Sequence, residues 1–244
     1  MPQIKDLKLV RSLSQKKFRT ELGLFIAEGK KLVEESILSD WDIHSVYSTD
    51  ADYTASHPGS FLVTSREMEQ LSQLSTPSPY LAVIRQKKAV ALTTTTKNIL
   101  VLDGISDPGN LGTIIRTAEW FGISQVVCSE NCVELYNPKV VQSTMGSIFR
   151  VSVITQDLLA FLPVLKSNGY RIAGADIQGE NLFTYNFDSG KIAVVIGSES
   201  HGLSQGVRSL IDDVLTIPGR GEAESLNASI AAAIIMAEMS RNIG

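Results

Sequence analysis

The sequence predicts an α/β protein in two parts, a small N-terminal α/β domain followed by a larger α/β domain on a mostly parallel sheet. Three observations lead there. Strand-like and helix-like stretches alternate along the chain; the strand candidates of the second part are near-continuous in Val, Ile and Leu, as in strands buried on both faces; and four threonines in a row, at 93–96, punctuate the middle.

In chain order, Ile4, Leu7, Val10 and Leu13 give an opening helix one apolar face. The stretch LFIAEG, 24–29, reads as a short strand entering a second helix at 30–38. Further strands are expected at 42–49, 60–64 and 79–86, with a helix over 65–74 capped by Ser65. These elements make a domain over 1–92 with a linker at 93–97. The second domain, 98–244, has strand candidates at 98–103, 125–129, 149–154, 170–176, 191–197 and 213–218, with helices between them. In such sheets ligands bind beyond the carboxyl ends of the strands.

Of the 244 residues 43% are hydrophobic and 20% charged, which suits a globular chain. No apolar run reaches the ~18 residues of a membrane span, and the opening MPQIKDLKLVRS has no apolar secretion core, so a cytoplasmic location is expected. Cys128 and Cys132 lack the companions of a structural zinc site. They read as one buried thiol at a strand end and one loop thiol, and no metal is expected. The net charge is −4, yet residues 1–31 hold eight Lys and Arg against three acids. That asymmetry fits either an arm that docks on a polyanion or a solvated helical face.

The stretch DPGNLGTIIRTAEWFG, 107–122, follows a strand and opens a helix. It fails as a phosphate loop, because Asn110 and Leu111 stand where Lys and Ser or Thr are needed, and it lacks the G-x-G-x-x-G of a dinucleotide fold. Two more polar, glycine-containing stretches follow later strands: IGSESHGLS at 196–204 and IPGRGEAESLNASIAAAIIMAEM at 217–239. With these three motifs in this order, the chain resembles the SpoU, or TrmH-like, branch of the SPOUT RNA ribose 2′-O-methyltransferases. The residues that carry the likeness are Asn110, Arg116 and Glu119; Gly197, Glu199 and Gly202; and Pro218, Gly221, Ser225, Leu226 and Asn227. The opening FRTELGLFIAEGKKLVEE, 18–35, resembles the substrate-binding domain that often precedes the catalytic one.

The resemblance implies S-adenosyl-L-methionine as cofactor, RNA as substrate (ribosomal sooner than transfer RNA), a homodimer, and a trefoil knot in the C-terminal segment. It implies a cofactor site of Gly197, Ser198, Glu199, Gly202, Ile217, Pro218, Ser225, Leu226, Asn227 and Ser229, and a catalytic set of Arg116, Asn110, Glu199, Ser225 and Asn227. RNA contacts are expected from Lys16, Lys17 and Arg19, and from Lys139 and Arg150 in NPKVVQSTMGSIFRV, 137–151. Ser200 and Gly219 depart from the family pattern, which has a glycine and often a methionine there, and Gln142 stands where a basic residue is common.

Methylating a ribose hydroxyl asks for that oxygen to be aligned with a sulfonium methyl and for its proton to be taken. A guanidinium stays charged to above pH ~12, so Arg116 suits orienting a phosphate or stabilising an alkoxide better than acting as a base. His201 is more readily a loop residue than a base. A surface pair of Arg116 with Glu119 is the bland reading of that arginine. A transfer-RNA methyltransferase and a non-catalytic RNA- or adenosylmethionine-binding protein of the same fold are the alternatives.

Overall fold

A computed structural model describes residues 4–87, 96–187 and 190–241. The described residues fall into two compact units, one within Met1–Lys88 and Leu135–Phe149, the other within Ala89–Glu134 and Arg150–Gly244. The expected linker at 93–97 lies outside the described residues except for Thr96 and Lys97.

The first unit runs α1 (Ile4–Ser12), α2 (Lys16–Leu22), β1 (Leu24–Glu28), α3 (Lys30–Leu38), β2 (Ile43–Ser48), α4 (Ala51–Ser56), β3 (Ser60–Leu62), α5 (Ser65–Leu71) and β4 (Tyr80–Arg85). Its sheet is mixed, in the order β1-β4-β2-β3, with β4 antiparallel to both β1 and β2 and β3 parallel to β2. Gly23 turns α2 into β1 in a left-handed conformation (φ 62°) that a side chain would disfavour. The short α4 escapes the periodicity reading; Asp50 caps it, its Oδ1 accepting from the N–H of Asp52 and Tyr53, each at 3.0 Å.

Thr64, not Ser65, caps α5. Its hydroxyl accepts from Glu67 N at 3.2 Å while the Glu67 carboxylate accepts from Thr64 N at 2.7 Å, a complete capping box. The helix stops at Leu71, short of the expected 74, because the buried Glu28 carboxylate draws the next segment to itself: it accepts from Ser72 Oγ at 2.5 Å, Gln73 N at 3.0 Å and Ser78 N at 3.1 Å.

Within the stretch 98–244, expected as one domain, one segment packs in the first unit. Residues 135–149, which include α7 (Pro138–Thr144) and a 3-10 turn at Ser147–Phe149, belong to the first unit, where Val141, Ile148 and Phe149 join Phe25, Ala27 and Val33 in one core. Trp41 Nε1 donates to the Phe149 carbonyl at 3.2 Å. Burial of an aromatic and two aliphatic side chains outweighs chain continuity in deciding where this segment folds.

The second unit contains β5 (Asn98–Asp103), α6 (Pro108–Trp120), β6 (Gln125–Ser129), β7 (Ser152–Gln156), α8 (Leu158–Ser167), β8 (Tyr170–Asn181), a 3-10 turn at Leu182–Thr184, β9 (Lys191–Gly197), α9 (Gln205–Arg208), β10 (Asp213–Thr216) and α10 (Ala228–Ser240). Its six strands are ordered β10-β8-β9-β5-β6-β7, and every neighbouring pair is parallel. Every residue of β5 and β6 is buried, as their Val and Leu content predicts. Two strands differ from expectation. The strand expected at 149–154 begins at Ser152, because Phe149 is drawn into the other core, and β8 runs on to Asn181, where its last two residues pair with Leu215 and Thr216 beyond a register shift.

The chain leaves β5 toward β6 and β7, then returns to build β8, β9 and β10 on the other side. The order therefore reverses between β5 and β9, the position at which open parallel sheets form a ligand crevice. Register places Asp103 opposite Gly197 at that point, so the turns carrying the first and second motifs leave the sheet side by side.

Candidate functional site

Beyond β5 the backbone turns at Gly104 (φ 74°), and Asp107 caps α6 by accepting from Asn110 N at 2.8 Å. The cap is therefore Asp107, which leaves the Asn110 side chain available. Its Nδ2 donates to Glu199 Oε1 on the loop after β9, and its Oδ1 accepts from Asn227 Nδ2 at 3.1 Å. Asn227 in turn caps α10, its Oδ1 accepting from Ser229 N at 2.9 Å and Ser229 Oγ at 2.6 Å.

The cap sets the polarity of the whole chain. An oxygen facing helix N–H groups forces the Asn227 nitrogen toward Asn110, so the Asn110 nitrogen faces the carboxylate, which can only accept. Three stretches, with Asn110 lying 89 residues before Glu199 and 117 before Asn227, are joined through one asparagine. Ser225 precedes α10 by three residues and is exposed.

The second motif is a tight loop. Ser198 N donates to Gly202 O at 3.1 Å and Gly202 N to Ser198 O at 2.8 Å, with Gly202 in a left-handed conformation (φ 63°). The loop passes so close to β9 that a Cβ on Gly197 would lie 2.2 Å from Gly202 C and 2.5 Å from Leu203 N. Ser200 Oγ lies 2.8 Å from His201 Nδ1. Where Gly219 departs from the family pattern, an added Cβ would meet nothing within 4 Å.

Between this loop and the third motif lies a cavity of about 810 Å³. Gly197, Ser198, Glu199, Gly202, Ile217, Pro218, Ser225 and Leu226 line it; Asn227 and Ser229 do not, and form the cap of α10. The volume is in the range of small-molecule sites, ~300–1,000 Å³. Apolar walls from Ile196, Ile217, Leu226 and Ala231 suit a nucleoside base, and the glycine-bearing loops let main-chain groups approach a ligand closely. These residues fit S-adenosylmethionine.

Sequence reasoning missed several members. Asp176, midway along β8, lines the cavity and pairs with Arg208 of α9. Asp103 is buried, and its carboxylate accepts from Ser204 N at 2.7 Å, tying the end of the second motif to β5. A carboxylate closing an apolar strand was the available signal for both.

Arg116 is exposed on α6, six residues beyond Asn110, and makes no ion pair among the described residues. Glu119 pairs with Arg150 instead, which removes the bland Arg116–Glu119 pairing and engages one of the expected RNA contacts. Lys16, Lys17 and Lys139 are exposed. Arg19 is not: only 3% accessible, its Nη1 donates to the carbonyls of Leu13 at 2.8 Å and Ser14 at 2.9 Å, so it closes the end of α1 and leaves the set of RNA contacts.

Comparison with known proteins supplies the class. Residues 97–237 match the SpoU rRNA methylase family and residues 2–82 the MRM3-like substrate binding domain. The 23S rRNA (guanosine(2553)-2′-O)-methyltransferase RlmP of Bacillus subtilis is 29% identical over 238 residues, 96% of this chain and 94% of its own length. A solved TrmH-family chain from Porphyromonas gingivalis is 35% identical with a TM-score of 0.89, over 99% of both chains. The AdoMet-bound rRNA methyltransferase of Sinorhizobium meliloti is 26% identical with a TM-score of 0.89, over 100% of this chain and 98% of that one. The chain belongs to the SpoU rRNA methylase family. It is an S-adenosylmethionine-dependent rRNA 2′-O-ribose methyltransferase.

Proposed function

We propose that the chain methylates a ribose of 23S rRNA, the substrate named for its full-length Bacillus relative, at a site built on Asn110, Arg116, Glu199 and Asn227. The observation that carries this reading is the hydrogen-bonded chain from Glu199 through Asn110 to Asn227, which ties all three motifs together beside the cavity. Bound S-adenosylmethionine supplies an electrophilic methyl group. Both ends of the Asn110 amide are occupied, so Asn110 is a positioning residue that locks the cofactor loop to the helix carrying Arg116. Arg116, charged and without an ion pair among the described residues, takes the reacting end of the RNA: its fork of donors orients the phosphate beside the ribose and stabilises negative charge on the attacking oxygen. Glu199 holds its loop through Asn110, and the walls of the cavity exclude water from the cofactor.

Transfer of a labelled methyl group to protein-free 23S rRNA, with 16S rRNA and bulk transfer RNA in parallel, tests the reading. Label confined to a ribose of 23S rRNA is expected; label in transfer RNA alone would overturn it.

The same reading includes a homodimer, a C-terminal knot and a cytoplasmic setting. After β10, at one edge of the sheet, the chain returns across to lay α10 against α6, and Asn98 Nδ2 at the start of β5 donates to Met239 O at 3.4 Å. This return past the loops after β5 and β9 supports a threaded C-terminus. The helix α10 is apolar around its circumference, yet Ile230 is 50% exposed, and Trp120 of the adjoining α6 is 85% exposed. Exposed large apolar side chains of this kind suit cover by a second copy, which supports a dimer. Among the described residues no helix is long and apolar enough to cross a membrane.

The first unit is proposed to grip RNA through exposed Lys8, Arg11, Lys16 and Lys17 on α1 and α2. Each phosphate neutralised on a single strand contributes about −0.7 to the slope of log affinity against log salt. Lys16→Ala with Lys17→Ala is therefore expected to weaken RNA binding and flatten that slope by about 1 to 1.5 in a salt titration of the full chain. An unchanged slope would assign these lysines to a solvated face.

A further inference from the structure

The cavity beyond β9 has a charged wall that the Glu199–Asn110–Asn227 chain does not use. β8 pairs with β9 from Tyr170 opposite Lys191 to Gly174 opposite Val195, and its pairing with β10 jumps from Val214 opposite Gly174 to Leu215 opposite Glu180. Residues 175–179 fall within that jump. Ala175, Asp176 and Ile177 line the cavity there, and so do Ile196 and Gly197, which follow the last residue of β9 that pairs with β8. The two strands part after Gly174, and the cavity opens where they part.

At this opening Asp176 holds Arg208 of α9. Asp176 Oδ2 accepts from Arg208 Nη2, and its Oδ1 accepts from Gln178 N at 3.3 Å. The Asp176 side chain is 14% accessible and that of Arg208 50%, so the carboxylate is largely closed off and the guanidinium remains open to a ligand. A guanidinium carries five N–H donors in a rigid plane, and among the described residues only Nη2 is engaged. An ion pair with so open a partner adds little to folding, yet it fixes the plane of the arginine.

The cavity matches the two ends of S-adenosylmethionine. Ile196, Leu215 and Ala228 are buried and apolar, which suits the adenine. The far end of the cofactor is an amino acid, whose carboxylate is best met by a planar cation with paired donors. Two arginines line the cavity. Arg220 lies in an exposed stretch, 218–227, and makes no ion pair among the described residues, whereas Arg208 is fixed by Asp176. A donor set in place before its ligand arrives loses less freedom on binding.

We propose that Arg208, oriented by Asp176, binds the α-carboxylate of the cofactor's amino-acid end and so makes the chain prefer ligands that carry that end over bare nucleosides. The assignment rests on the cavity being the cofactor site. No bond forms or breaks at Arg208: it is a binding residue, and Asp176 is the positioning residue behind it.

The test is calorimetry of the full chain with two probes, S-adenosylhomocysteine, which has the amino-acid end, and 5′-methylthioadenosine, which lacks it. Arg208→Gln is expected to weaken S-adenosylhomocysteine by about tenfold or more and to leave 5′-methylthioadenosine within about twofold of wild type. Retained binding of the second probe also shows that the cavity has folded. Arg208→Lys keeps the charge without the fork and is expected to recover part of the loss. Equal weakening of both probes would overturn the proposal by making Arg208 a support of the cavity as a whole. Loss of rRNA affinity with both probes unchanged would overturn it by giving the arginine to a phosphate. Gly197→Ala, which displaces the loop beside the nucleoside, keeps two failures apart. Weakening of both probes by that variant with no effect of Arg208→Gln would overturn the role of Arg208 alone; no effect of either variant would overturn the cavity as the cofactor site, and this proposal with it.

Discussion

Arg116→Ala is expected to lower methyl transfer by about 10²-fold or more while S-adenosylmethionine binding stays within a few-fold of wild type. The separation of the two effects follows from where the side chain lies. Arg116 is exposed on α6 and is absent from the cavity wall, so its removal leaves the cofactor's surroundings unchanged. It makes no ion pair among the described residues, so the substitution strips no carboxylate of its partner and has little to cost in folding. Under the proposed assignment, the substitution removes a fixed positive charge that would stabilise the attacking ribose oxygen. Single-turnover transfer to 23S rRNA, with calorimetry for the cofactor, separates the terms. Arg116→Lys restores charge without the planar fork and is expected to recover only part of the rate. Near-normal turnover in Arg116→Ala would reduce the arginine to surface charge and move the search for the stabilising group elsewhere.

Gly197→Ala is expected to weaken S-adenosylmethionine binding by at least about tenfold, a change of about 1.4 kcal/mol. The added Cβ would lie 2.2 Å from Gly202 C, 2.3 Å from Gly202 O and 2.5 Å from Leu203 N. All three are backbone atoms, so no side chain can swing aside; the loop from Ser198 to Gly202 must move as a piece. That loop forms one wall of the cavity and carries Glu199, whose carboxylate holds Asn110. Relief of the clash is paid in the geometry of the site. Gly219→Ala is the matched control, because its Cβ would meet nothing within 4 Å in the wall of the same cavity, and its affinity is expected to stay near wild type. Equal affinities for the two variants would place the cofactor somewhere other than this cavity.

Much of this protein can be read before it folds. Periodicity and composition locate ten strands because apolar character at a strand position reports burial of that same residue, a local property. The five Val- and Ile-rich segments at 98–103, 125–129, 170–176, 191–197 and 213–218 fall on strands of one parallel sheet for that reason. The three motifs are equally visible, since glycine, asparagine and serine after a buried strand announce a turn that cannot be buried. Short capped elements were harder: Asp50 and α4 carry too few residues for a period to show, and Ser65 next to Thr64 offers two hydroxyls of which only geometry picks one.

What the linear order could not supply is the meeting of distant parts. Whether Arg19 faces RNA or a helix end depends on the carbonyls of Leu13 and Ser14, and a basic residue looks the same in both settings. The choice of partner for Glu119, between Arg116 one turn away and Arg150 thirty-one residues on, is likewise made by packing. Residues 135–149 were assigned by position to the second unit and by burial to the first, because Val141, Ile148 and Phe149 complete a core whose other half is encoded a hundred residues earlier. The sequence alone determined most of the elements and the three motifs, which depend on residue type and short spacing, and the class of chemistry through the family resemblance those motifs carry. The tertiary structure decided that Asn110 stands between Glu199 and Asn227, since hydrogen bonds act across about 3 Å of space whatever the length of chain between the groups that form them.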